Sequence, residues 1–211
     1  ETGTVSGSVS VADVDDPDTL TVTASAATYG TLTVDDEGVW SYDIDEENAL
    51  VLALAEGQTL TETITVTGTD GAGASDTGTL VITIAGVNDA PTVGADEGSI
   101  GEDSTSTVTG EVDVDDVDDG DTVTLSAGPA LFGTLTVADD GTWSYDLSET
   151  DEEVQALGVG QTLTDTITIT AEDAQGATAT SEVTITINGV NDLAIVDDAT
   201  GEVEADNGSA I

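Results

Sequence analysis

Threonine alternates with valine, leucine or isoleucine along much of this chain. "TLTETITVTGTD" (59–70) and "SEVTITINGV" (181–190) place an apolar side chain at nearly every second position. A period of two is the mark of a strand with one buried face. On this reading strands fall near 4–12, 19–24, 30–35, 38–44, 59–69 and 78–86, with "DEG" and "DDG" as tight turns before Trp40 and Trp143. Trp40, Tyr42 and Ile44 share one strand face, as do Leu80, Ile82 and Ile84, which sets the inward phase. Only "DEENALVLALAEG" (45–57) and its counterpart at 148–160 read as helical, with Ser148 and Asp151 forming a capping box in the second. Glu62 and Asp165 fall on the inward phase of their strands, which predicts a bulge or a late strand start there.

The pattern occurs twice. "YGTLTVDDEGVWSYDID" (29–45) returns as "FGTLTVADDGTWSYDLS" (132–148), and "GQTLTETITVT" (57–67) as "GQTLTDTITIT" (160–170). The offset is 103 residues throughout, the spacing of Trp40 and Trp143, and no gap is needed. Repeats of this length are one compact module each. The expected organisation is a first β-sandwich repeat at 1–89 without its N-terminal segment, a second at 90–192, and the truncated start of a third at 193–211. "VNDAPT" (87–92) is the linker between the first two. About seven short strands and one helical turn in a hundred residues predict an all-β fold: tandem antiparallel sandwiches of immunoglobulin or cadherin type.

Composition narrows the chemistry. The 211 residues carry 45 Asp and Glu but no Lys, Arg, His or Cys, a formal charge of −45. A charge so high with so few aromatics is a mark of disorder, and the alternating strands argue against it. Without Lys, His or Cys there is no Schiff base, imidazole base, thiolate or ordinary zinc site. Nothing can neutralise phosphate, so nucleic acid is excluded as a partner, and no apolar run is long enough for membrane insertion. The remaining partners are neighbouring repeats of the same chain, and a monomer is expected.

"DVDDVDDGD" (113–121) concentrates this charge. Two carboxylates about 4 Å apart repel by roughly 4 kcal/mol at an effective dielectric near 20. Comparison of the copies sorts the acids: Asp13, Asp15, Asp16 and Asp18 return as Asp116, Asp118, Asp119 and Asp121, whereas Asp113 and Asp115 face Ser10 and Ala12. Asp70 returns as Asp173, and Asn88 with Asp89 as Asn191 with Asp192. Hard oxygen donors crowded in a short loop with no base to pair them suit Ca²⁺, which takes six to eight oxygens, better than Mg²⁺. The loop is not an EF-hand, because with Gly120 at the sixth place Val117 and Ser126 stand where acids are required.

"GTLTVDDEGVWSYDID", "VLALAEGQTLTETITVTGTDGAG" and the closing "GVNDAP" together resemble VCBS-type repeats, cadherin-like modules of giant bacterial adhesins of the RTX type exported by type I secretion. The resemblance covers nearly the whole chain, twice. It implies Ca²⁺-stabilised extender repeats on the bacterial cell surface that hold a distal binding domain away from the cell. "VNDAP" is similar to the cadherin linker whose Asn and Asp hold Ca²⁺ between domains, which carries that role to Asn88, Asp89, Asn191 and Asp192. "GEDS" (101–104) resembles the acidic opening of such modules and adds Glu102 and Asp103. On this view Asn88 and Asp89 share an ion with acids such as Asp70, Glu102 or Asp103. In the third copy Ala205 stands in the place of Glu102.

An enzyme is not expected. "DTG" (76–78) imitates the aspartic-protease signature, but it occurs once and reads as a turn entering the last strand. Trp40, Tyr42, Trp143 and Tyr145 read as core. The alternative function is a ligand-binding adhesion module, for glycan or ice, using outward threonines such as Thr63, Thr65 and Thr67 or an aromatic face; β-branched polar residues on a solvated sheet face need no ligand.

Overall fold

A computed structural model describes residues 3–14 and 19–193. The first module contains β1 (Thr4–Ser8), β2 (Thr21–Ala24), β3 (Gly30–Val34), β4 (Val39–Ile44), α1 (Ala49–Leu52), β5 (Thr59–Thr69) and β6 (Ser75–Ala85). The second contains β7 (Thr92–Val93), β8 (Asp96–Gly101), β9 (Val108–Glu111), β10 (Val114–Asp115), β11 (Thr124–Ala127), β12 (Gly133–Val137), β13 (Thr142–Leu147), β14 (Thr162–Glu172) and β15 (Thr178–Asn188). Each module closes one apolar core between two sheets. In the first, β1-β4-β3 faces β2-β5-β6; in the second, β12-β13-β9 faces β11-β14-β15-β8, with β7-β10 as a small addition. The fold is all-β.

Alternation is satisfied in both long hairpins. Along β14 the residues Ile167, Ile169 and Ala171 are fully buried, and Val183, Ile185 and Ile187 answer them from β15. Threonines face outward and pair with one another across β5 and β6, as in Thr61 with Thr83 and Thr65 with Thr79. The tight turns before the tryptophans need glycine: Gly38 and Gly141 have φ of 81° and 88°, and a Cβ there would lie 2.3 Å from the Val9 carbonyl and 2.2 Å from that of Val112.

Several expectations are corrected. The first helical segment shortens to the single turn α1, capped by Asn48 Oδ1 accepting from the Leu50 N–H at 3.0 Å. No helix forms at 148–160: the Asp151 carboxylate accepts from the Glu153 and Val154 N–H groups, so the capping box is not made. The "DTG" lies inside β6, with Thr77 opposite Thr67, and is not a turn.

Nor is there a bulge at Glu62 or Asp165. Both sit in unbroken ladders, opposite Ile82 and Ile185, and both are buried. Their carboxylates fasten a loop to the core. Asp165 accepts from Tyr145 Oη at 2.8 Å, Phe132 N–H at 2.8 Å and Leu131 N–H at 3.0 Å. Glu62 accepts from Tyr42 Oη at 2.9 Å and from the Thr28 N–H. Burial and the adjoining carboxylates push both tyrosine hydroxyls up, so they remain donors. For Glu62, burial pushes the pKa up, but the Thr28 N–H and the Tyr42 hydroxyl outweigh it and hold the carboxyl below its ordinary value of 4.5. A group with a lowered folded pKa contributes stability that is complete above the unfolded value and lost as pH falls through the folded one. The first module is therefore expected to lose stability below about pH 4.5, and Glu62→Gln should flatten that dependence in urea unfolding series at pH 6 and pH 3.

Candidate metal centre at the module junction

The acidic loop follows β10 and is shaped by its own backbone. The Asp118 N–H donates to Asp116 Oδ1 at 3.0 Å, the Asp121 N–H donates to the Asp118 carbonyl at 3.2 Å, and Gly120 takes φ of 85° to complete the turn. This folds Asp116, Asp118 and Asp121 inward, and one carboxylate oxygen from each lies within 4.8 Å of the others. At that separation each ionised pair repels by roughly 3–4 kcal/mol at an effective dielectric near 20. Asp118 is 3% exposed and Asp173, from the end of the β14–β15 hairpin, 5% exposed. Like charges so poorly hydrated require a counter-charge, and the chain contains no cationic side chain.

The linker closes the cluster. Asn88 Nδ2 donates to Asp173 Oδ2 at 2.9 Å and to the Asp89 carbonyl at 3.0 Å, while the Asp89 N–H donates to Asp118 Oδ2 at 2.9 Å. With its amide nitrogen so engaged, the Asn88 amide presents Oδ1 alone. Four buried oxygens then have no hydrogen-bond partner: Asn88 Oδ1, Asp116 Oδ2, Asp118 Oδ1 and Asp121 Oδ2. Buried polar atoms without partners are uncommon in native folds. Here they come from the linker and from the loop it covers, and all are hard oxygen donors.

The electrostatics agree with this arrangement. Burial pushes the Asp116 carboxyl up against the opposing Asp118 N–H, and the charges of Asp118, Asp121 and Asp173 add to the rise. The Asn88 amide holds Asp173 below the usual carboxylate range despite its burial, helped by the Ala177 and Gln175 N–H groups. Two contacts that sequence reasoning missed join the modules directly. The Asp119 N–H donates to the Ala53 carbonyl at 3.0 Å, and Gln58 Nε2 donates to the Asp119 carbonyl at 3.3 Å. Asp119 therefore works through its backbone, with its side chain exposed. The repetition of Gln58 as Gln161 was the available signal for this role.

Residues 1–86 and 88–189 each match the family described as Bacterial cadherin-like domain. The chain belongs to that family. Among solved structures these cadherin-like modules are similar to human protocadherin-24 EC1-2, at 19% identity over 86% of this chain and 87% of that one, with a TM-score of 0.52. Chicken VE-cadherin EC1-2 is 20% identical over 88% and 90%, with a TM-score of 0.40. At such identities the likeness is one of fold. None of the curated proteins compared matches the chain. Cadherin-like domains are extracellular structural and adhesion modules, not enzymes. No helix among the described residues is long and apolar enough to cross a membrane.

The cadherin-like topology divides the other candidates between the two ends of each module. Asp173 follows β14 at one end of its hairpin, whereas Asn188 closes β15 at the other. Eleven paired residues at about 3.4 Å each separate those ends by roughly 35 Å. Glu102 belongs to the far end: it follows β8, which runs parallel to β15, and its Oε1 accepts from the Val190 N–H at 2.6 Å. Glu102 is fully buried, its Oε2 has no partner, and Asn191 and Asp192 stand beside it in the same Asn-to-carbonyl geometry as Asn88 and Asp89. Asp103 is exposed. Asp70 lies with Asp13 in a groove at the opposite end of the first module from Asn88, its carboxylate accepting from the Ala72 and Ala74 N–H groups. So neither Asp70 nor Glu102 meets Asn88; Asp173 does, and Asp118, clustered with Asp116 and Asp121, accepts from the neighbouring Asp89 N–H. Asp15, Asp16 and Asp18 lie outside the described residues.

Proposed function

We propose that this chain is a run of Ca²⁺-stabilised extender modules of a bacterial surface adhesin, in which the ion fixes the angle between successive modules. The observation that carries the reading is the set of four buried, unpartnered oxygens contributed jointly by linker and loop. Asn88, Asp116, Asp118 and Asp121 would hold the ion, and Asp173 would position Asn88. Bound there, Ca²⁺ supplies the positive charge that the sequence lacks. The backbone ties from Asp119 to Ala53 and Gln58 set the two modules in contact, and removal of the ion leaves repelling carboxylates beside that contact. A linker alone restrains distance more than direction, and relative motion is the default for adjoining domains. The placement of Glu102, Asn191 and Asp192 at the far end of the second module, and of Asp13 with Asp70 at the near end of the first, supports a repeating head-to-tail design. The resemblance of "GVNDAP" and its companions to VCBS-type repeats of RTX adhesins supports the cell-surface setting.

Small-angle scattering tests the mechanical part. In millimolar Ca²⁺ the two modules should give one narrow, extended distribution of distances, and excess chelator should broaden and bend it. Asp89→Pro would disturb the linker for backbone reasons, so Asn88→Ala is the better variant, expected to broaden the Ca²⁺ form while each module keeps its fold. Equal extension with and without Ca²⁺ would remove the mechanical role.

A further inference from the structure

Sheet edges are where a β-sandwich is open to another chain, and proteins commonly blunt them with lysine. This chain has no lysine and uses carboxylates instead. At the edge of β11 the Leu125 N–H, which points away from β14, donates to Asp139 Oδ1 at 2.9 Å, and on β2 the Val22 N–H donates to Asp36 Oδ1 at 3.0 Å in the same way. Beside β9 the Glu111 N–H donates to Asp96 Oδ2 at 3.1 Å. Among the described residues no such cap covers β3 or β12. Each pairs on one side only, with β4 or β13, and ends its sheet.

The free groups on these two edges follow from the ladders. In an antiparallel pair, residues that exchange hydrogen bonds alternate with residues whose N–H and C=O point away from the partner strand. The Ala138 N–H donates to the Thr142 carbonyl at 2.8 Å and the Ser148 N–H to the Phe132 carbonyl at 2.8 Å. Thr134 and Thr136 are therefore in bonded pairs, and Gly133, Leu135 and Val137 turn their backbone groups outward along the edge. The Asp35 N–H donation to the Val39 carbonyl and the Asp45 N–H donation to the Tyr29 carbonyl, both at 2.9 Å, leave Gly30, Leu32 and Val34 outward in the first module. The same bare edge thus recurs in both modules, between elements that are described on either side.

Charge selects the occupant. Asp43 and Asp146, both exposed, stand on the outer face opposite Thr31 and Thr134. The acidic turns Asp35, Asp36 and Glu37, or Asp139 and Asp140, follow each strand. Leu32, Val34, Leu135 and Val137, on the other face of the same strands, are apolar and at least half-buried. A second copy laid on the edge would bring like charges together, and no segment of the 211 residues offers a cation. An added strand with lysine or arginine on its outer face would lie two strand spacings, about 10 Å, from Asp146. Extended side chains bridge that gap, while the inner face of the added strand continues the core beside Leu135. We propose that the bare edges of β3 and β12 receive, by strand addition, an extended segment of a cationic protein that alternates basic with apolar residues. This goes beyond the extender reading and needs no metal: each module offers a docking edge as well as length.

A short synthetic peptide alternating lysine with valine, added to the full chain in millimolar Ca²⁺, is the probe. Amide exchange followed by NMR should show the Leu32, Val34, Leu135 and Val137 N–H groups slowing by about tenfold or more on binding, while those of Thr134 and Thr136, already in the ladder, do not change. The same peptide N-methylated at its valines keeps its charge but loses the main-chain donors that face the edge, and should bind about tenfold more weakly. Asp43→Asn with Asp146→Asn removes the outer charges at both edges and keeps an acceptor for the Thr4 hydroxyl. That variant should bind the peptide several-fold more weakly at an unchanged melting temperature. A glutamate–valine peptide should not bind. Equal affinity for the N-methylated peptide, or binding that leaves those four amides unprotected, would mean attraction to an acidic surface at large and overturns the proposal. So does the absence of binding at millimolar peptide.

Discussion

Saturating Ca²⁺ is expected to raise the melting temperature of the metal-free chain by roughly 10–20 °C. A ligand that binds only the folded state adds about 2.7 kcal/mol at a hundred times its Kd, and a domain of about a hundred residues gains roughly 4–8 °C per kcal/mol. The starting point is also poor, because the Asp116, Asp118 and Asp121 carboxylates lie within 4.8 Å of one another with nothing cationic in the chain to offset them. Asp118→Asn keeps the acceptor for the Asp89 N–H and removes one of the charges, so it should abolish most of the Ca²⁺-dependent rise. Asp115→Ala should leave the rise intact, since Asp115 sits exposed on β10. Differential scanning calorimetry with Ca²⁺ and with chelator measures all three, and a shift within a degree or two for the parent chain would contradict the site.

Asp165→Ala is expected to cost about 3–5 kcal/mol, the largest loss of any single substitution considered. It leaves the buried Tyr145 hydroxyl and the part-buried Leu131 and Phe132 N–H groups without their fully buried acceptor. Each buried donor so orphaned costs about 1–3 kcal/mol. Adding Tyr145→Phe removes one of those donors, so the double variant should lose less than the sum of the two single ones. Urea unfolding of the four proteins gives the comparison, and a loss below about 1 kcal/mol for Asp165→Ala would mean the loop is not held by this carboxylate.

What the sequence made legible was what is local or repeated. Period-two alternation located β5 to the residue and β15 to within three, and the repeat singled out Asp116, Asp118, Asp119 and Asp121 together with Asp173, of which Asp119 turns its side chain to solvent. The inward acids were misread as bulges because their partners are remote: Tyr145 is 20 residues from Asp165 and Leu131 is 34. Nothing along one strand announces a hydroxyl arriving from another sheet. The end of the module at which Glu102 acts was hidden for a similar reason. Its position depends on β8 pairing parallel to β15, and parallel pairing is a property of topology, not of alternation. The helical segments failed differently: Asn48 caps α1, which closes after a single turn at Ala53, and 148–160 forms only turns.

The central claim is that linker and loop hold one Ca²⁺ between them, and calorimetric titration of the metal-free chain with Ca²⁺ addresses it most directly. The parent chain should bind Ca²⁺ with a component that disappears in Asn88→Ala and equally in Asp118→Asn, one residue from the linker and one from the loop it covers, each with a buried oxygen that has no hydrogen-bond partner. Isotherms for both variants that overlay the parent, or a parent chain that takes up no Ca²⁺ at millimolar concentration, would contradict a shared junction site.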